Sequence, residues 1–243
     1  MRHPILTLAA VAVLAAACGG QNDQASVTTT NHPAVTSSTT STTTAPACDT
    51  APDPAGGISQ STSDADVDGD GRADEVRLFL VGDSEWHLHV TLAATGTADV
   101  TLTVLGSESV AVLGGADVDG DGADEIWASI GAGASATIIG LARFADCALT
   151  QVTFAGGRPA EFPIGGSVGT ASGLECVTDD PSGVDVIAYT ASNTRDDRYE
   201  VKGTDFTLEG DVLVRQSTHT TSVSNNDPAF QRATGFACGS VAL

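Results

Sequence analysis

Lysine is nearly absent from this chain: Lys202 stands alone, and ten Lys and Arg together face 31 Asp and Glu, for a formal net charge of −21. So few cations argue against nucleic acid as a partner and against an electrostatic hold on anionic lipid headgroups. Histidine is scarce too. From residue 48 onward only His87, His89 and His219 occur, with no Gly-x-Ser-x-Gly elbow, no His-Glu-x-x-His pair and no Gly-rich phosphate loop. The familiar nucleophile, zinc-hydrolase and nucleotide motifs are therefore excluded. Helical spacing of apolar residues is missing outside the stretch Ile5–Ala17, which leaves an all-β chain as the expectation.

What the chain has is one acidic phrase written twice. It runs Asp66-Val-Asp-Gly-Asp-Gly-Arg-Ala-Asp-Glu-Val76 and, 51 residues on, Asp117-Val-Asp-Gly-Asp-Gly-Ala-Asp-Glu-Ile126. Carboxylates at alternate positions repel one another unless a hard cation lies among them, so each copy reads as a calcium loop. In the first, Asp66, Asp68 and Asp70 offer side-chain oxygens, Arg72 its carbonyl, and Asp74 a carboxylate able to bind through both oxygens; Gly71 permits the bend. An EF-hand would need Glu at loop position 12, where Arg77 stands, and the residues that follow alternate like a strand. The second loop offers Asp117, Asp119, Asp121, the Ala123 carbonyl and Glu125, with Asp124 as a rival to Glu125. Asp-Gly pairs also form ordinary turns without metal. Two copies in one ligand register favour the ion, giving two calcium sites.

These residues resemble the FG-GAP or VCBS repeat, found as blades of the integrin alpha-chain propeller and in many bacterial surface proteins. The match is to Asp-x-Asp-Gly-Asp-Gly-x-x-Asp followed by apolar residues, and it covers about fifty residues per copy. The resemblance implies that each loop joins two strands of a blade and holds calcium through Asp66, Asp68, Asp70 and Asp74, and through Asp117, Asp119, Asp121 and Glu125.

Strand composition recurs between the loops, at Val76–Val81, Trp86–Leu92 and Val100–Leu105, and after the second loop at Ile126–Ile130, Thr137–Phe144 and Leu149–Phe154. Gly165-Gly166-Ser167 stands 51 residues after Gly114-Gly115-Ala116 and marks a third repeat, whose loop, Thr178-Asp179-Asp180-Pro181-Ser182-Gly183, has lost its ligands. The expected fold is all-β, with propeller-type repeats over about 58–107, 108–160 and 161–243, in roughly three four-stranded units. Three units are few for a closed propeller, so the alternative is an incomplete one or a rearrangement into a sandwich-like domain. Further strands are expected at Val184–Tyr189, Tyr199–Lys202, Phe206–Leu208 and Val212–Gln216, and no helix.

Residues 1–17 read as a signal peptide. Ala15-Ala16-Ala17-Cys18-Gly19 resembles the lipobox of bacterial lipoproteins, which implies a lipid anchor on Cys18 and an exported, envelope-bound location; secretion with ordinary cleavage is the alternative. From Ser26 to Ala47, 13 of 22 residues are Ser or Thr, a composition that cannot form a core and reads, with 18–25, as a tether. Four cysteines remain, Cys48, Cys147, Cys176 and Cys238. An even number in an exported chain points to two disulfides with three possible connectivities, and pairing Cys48 with Cys147 and Cys176 with Cys238 is the favoured one, since it would fasten the repeats and the C-terminal third separately.

Other candidates are weaker. His87 and His89 share one face of a predicted strand and could hold a transition metal if a carboxylate joined them; with Glu85 and Thr91 in the same alternation, an exposed face without ligand is the expectation. Arg195-Asp196-Asp197-Arg198 reads as a solvated turn, and Trp86 and Trp127 as core packing. The functional expectation is an exported, non-catalytic binding or adhesion module for an envelope or extracellular ligand, against a structural envelope lipoprotein or a hydrolase with an unrecognised site.

Overall fold

Alternating apolar and polar residues broken by Gly and Asp turns dictate strands, and the computed structural model, which describes residues 48–106, 109–177 and 183–243, is predominantly β with sheets not closed into a barrel. The leader, Cys18, the tether and residues 178–182 of the third loop lie outside the described residues. The first sheet is an antiparallel meander of β1 (Gly57–Ala65), β2 (Asp74–Val81), β3 (Glu85–Thr91) and β4 (Thr97–Leu102). Its period of two sends Val76, Leu78, Trp86, Leu88, Val90, Ala98 and Leu102 into one core.

The second sheet begins with the same order: β5 (Val110–Ala116), β6 (Glu125–Ala132), β7 (Ala136–Ala145) and β8 (Ala148–Gln151). It then continues through β9 (Thr153–Phe154), β10 (Glu161–Ser167), β11 (Thr170–Cys176), β12 (Val186–Arg195), β13 (Arg198–Glu209) and β14 (Val212–Ser224). Helix α1 (Pro228–Arg232) and strands β15 (Phe236–Cys238) and β16 (Val241–Ala242) follow. The hydrogen-bonded path is β5-β6-β7-β10-β11-β12-β13-β14-β9. One end of β7 pairs with β8 and the other with β10, so the expected second and third units run on as one sheet instead of standing apart.

Strand β6 explains how the molecule is layered. Ile126, Ala128 and Ile130 face the core shared with β1–β4, while Trp127 enters a second core. There it lies 5.2 Å from Phe236 and 6.4 Å from Phe162, ring to ring. Burial on both faces is what a continuous apolar strand such as Ile-Trp-Ala-Ser-Ile needs. Both tryptophans are thus core residues, Trp86 in the first layer and Trp127 in the second.

The ends are fastened as the cysteine positions suggest, by Cys48–Cys147 and Cys176–Cys238. Thr97 N donates to Asp49 O (3.0 Å) and Ala51 N to Thr97 Oγ1 (2.7 Å), so the segment after Cys48 lies along the edge strand β4. Strand β15 pairs with β11 in parallel. Two expectations need correction. Helix α1 exists, started by Asp227, which accepts from Ala229 N, and by Pro228; five residues are too few to show helical periodicity. The last hairpin is also longer than expected, since β13 and β14 run for 12 and 13 residues.

Candidate metal centres

Each acidic loop connects a hairpin, the first β1 to β2 and the second β5 to β6. The loop backbone folds around its first carboxylate. Asp66 accepts from Asp70 N (3.0 Å) and Gly71 N (2.8 Å), and Asp117 from Gly120 N (2.8 Å) and Gly122 N (3.1 Å). Gly71 and Gly122 hold φ of 82° and 93°, a left-handed turn that a side chain would strain. This brings oxygens of Asp66, Asp68 and Asp74 within 4.8 Å of one another, and those of Asp117, Asp119 and Glu125 likewise.

The ninth loop position is the anchor in both. Asp74 is 1% exposed and accepts from Val67 N (3.0 Å) and Ala93 N (2.7 Å). Glu125, also 1% exposed, accepts from Val118 N (2.9 Å) and Arg143 Nε (3.2 Å). Asp124, its rival, is used elsewhere: its Oδ2 accepts from Asp66 N (3.0 Å) while its own N donates to Asp66 O (2.7 Å). The two loops are thereby joined back to back, and a Cβ on Gly115 would overlap Ala65 and Asp124.

The remaining predicted ligands sit at the mouths. Asp70 is paired with Arg72 (2.8 Å) and Asp121 with Arg143 (2.6 Å). The carbonyls of Arg72 and Ala123 follow at the expected positions, with Arg72 N donating to Asp70 Oδ1 and Ala123 N to Asp121 Oδ1, each at 2.9 Å. Arg143, on β7, is the residue of this candidate site that sequence reasoning missed. It reaches Asp119 (3.5 Å), Asp121 and Glu125, and no local pattern links it to a loop some twenty residues earlier.

Crowding and burial act on the acids together. Burial pushes the Asp74 carboxyl up against the pull of the Ala93 and Val67 amides. Asp119 is raised by burial and then by the charge of Asp121. For Glu125 burial dominates, opposed by the Val118 amide, assisted by Asp119 and Asp121 and offset in part by Arg143, and it lifts the group to about 8. Acids gathered this closely call for a proton or a cation among them.

Elsewhere, Asp196 and Asp197 form the turn between β12 and β13, as read from the sequence. The histidine pair departs from expectation: His89 is 1% exposed and His87 is half-buried. No protein-family model, curated protein or solved structure matches this chain.

Proposed function

We propose that this is an exported, lipid-anchored surface protein whose β domain holds two structural calcium ions and acts as a non-catalytic binding module. The observation that carries the reading is the duplicated triad: two loops of the same register, each gathering two rim carboxylates and one buried one at the same ninth position. A hard, oxygen-seeking ion suits such a donor set, and extracellular modules of this kind bind calcium at about 10⁻⁴ to 10⁻³ M. Two disulfides fit an oxidising, exported setting. The FG-GAP/VCBS resemblance gives the two meanders β1–β4 and β5–β8 the role of propeller-type repeats, each headed by its calcium loop. The Cys18 anchor and the Ser/Thr-rich tether then present the domain to an envelope or extracellular ligand.

Calcium here is structural: binding to the native state alone adds about 2.7 kcal/mol per site at one hundred times the dissociation constant. Thermal melting of the full chain tests this. The midpoint is expected to rise with calcium and fall with chelator, and Asp74→Asn, which neutralises the buried anchor of the first loop, is expected to remove about half of the rise. Identical melting curves with calcium and with chelator would refute the structural role. The binding role is tested by capture from envelope extract with and without calcium, against a panel of hydrolase substrates; turnover without capture would reverse the assignment.

A further inference from the structure

We infer that the outer face of the first sheet carries a proton-sensitive latch: His87, held as an imidazolium between Asp99 and Glu85, fastens edge strand β4 and with it the segment that follows Cys48, and loosens both when the proton leaves. The latch shares no residue with either acidic loop. The strand ladder places its parts: on β2, β3 and β4, Arg77, His89 and Asp99 stand in one cross-strand row, with Phe79, His87 and Thr101 in the next. These side chains alternate with Trp86, Leu88 and Val90, which fill the core, so both histidines project from the opposite face.

Both ring nitrogens of His87 face acids. Nδ1 lies 2.7 Å from Asp99 Oδ1, and Nε2 lies 2.8 Å from Glu85 Oε1. An ionised carboxylate only accepts, so both nitrogens have to donate, and an imidazole donates from both only as the cation. Charge-assisted bonds of this length are the stronger kind. A neutral ring keeps one N–H and turns a lone pair toward the other acid, so deprotonation replaces one attraction with a repulsion. Burial works first against the charge, the side chain being 15% exposed, but the bonds to Asp99 and Glu85 outweigh it and raise the group above its usual value.

Other charged groups continue the row toward β2. Asp99 also stands 3.5 Å from His89 Nδ1, His89 Nε2 stands 3.7 Å from Asp53, and Arg77 holds Asp53 at 2.9 and 2.5 Å while its Nε lies 3.5 Å from Glu75. His89 is 1% exposed and neither of its nitrogens has a hydrogen-bond partner among the described residues, so the side-chain hydrogen bond that joins β3 to β4 on this face is that of His87. Asp99 sits two residues from Thr97, which binds the chain after Cys48 through Asp49 O and Ala51 N. A strand held less firmly at Asp99 therefore holds that segment less firmly at Thr97. A histidine raised on folding contributes stability in full below its unfolded value of about 6.5 and loses it as pH climbs through the folded one. The latch thus holds in mild acid and loosens toward alkaline pH.

The test is NMR of the imidazole nitrogens and backbone amides of the full chain, titrated from about pH 5 to about pH 9, beside thermal melting of His87→Gln. His87 is expected to carry protons on both nitrogens in mild acid and to titrate with a midpoint above about 6.5, and the Thr97 and Ala51 amide signals are expected to move with that same midpoint. His87→Gln is expected to melt about 2–4 °C below the unmodified protein at about pH 5.5 and level with it at about pH 9. A His87 midpoint at or below about 6.5, amides of Thr97 and Ala51 that ignore the titration, or a His87→Gln deficit of equal size at both pH values would overturn the inference. The titration of the unmodified protein decides it even if the variant folds poorly.

Discussion

At the scale of single residues, position outranks identity. The Asp-Glu pair ends both acidic phrases but is slid by one residue, so the anchor is Asp74 in one loop and Glu125 in the other, and each receives the amide seven residues before it. Spacing made that set readable, apart from the contest between Asp124 and Glu125, which only the neighbouring loop resolves. Asp185 is an acid that no motif reveals. Burial raises its carboxyl, against the hydrogen bond from Leu208 N at 2.7 Å. A raised carboxylate is a stability contribution present below its unfolded value and lost as pH climbs through the folded one. Asp185→Asn is therefore expected to melt above the unmodified protein at about pH 7 and level with it at about pH 3, where both carry a neutral group. Equal midpoints at neutral pH would contradict this.

At the scale of elements, the notable unit is a pair of hairpin loops. Asp66 is a triad member whose backbone is clasped on both polar atoms by Asp124, the neighbour of triad member Glu125. Ordering one loop therefore orders the other. Asp124→Ala is expected to weaken calcium binding at both loops by about tenfold, equivalent to about 1.4 kcal/mol. A calorimetric loss confined to the second loop would show the clasp to be idle. Strands were legible where one face meets the core, as in β2 and β3, because burial imposes the alternation that is read. The far half of β14, from Ser217 to Ser222, is exposed on both faces, so nothing in its Ser and Thr pattern marked it as strand. Likewise His89 looked like an outward-facing residue by alternation; its cover comes from Phe79 and from Asp53, which precedes the sheet.

At the scale of the whole molecule, all-β composition and an even set of cysteines could be read directly, the pairing was a choice among three connectivities, and the sheet layout could not be read. A branch point such as β7, shared between β8 and β10, depends on long-range pairing that repeat spacing does not encode. The disulfides carry a further expectation: replacing Cys48 and Cys147 by Ser is expected to cost about 2–5 kcal/mol, read as a lower denaturant midpoint with a steeper slope, because the uncrosslinked denatured chain exposes more surface. An unchanged midpoint would mean that the hydrogen bonds of Asp49 and Ala51 to Thr97 hold that end alone.

The Cys48–Cys147 bond also sets a path for mechanical load. Tension arriving from the N-terminal direction reaches Cys48 and crosses through sulfur to the turn between β7 and β8, bypassing the chain between two cysteines 99 positions apart in sequence. Both acidic loops and the histidine pair lie within that covalent ring. A pull entering at Cys48 would thus pass the two acidic loops by, and strain would fall first on the chain beyond Cys147.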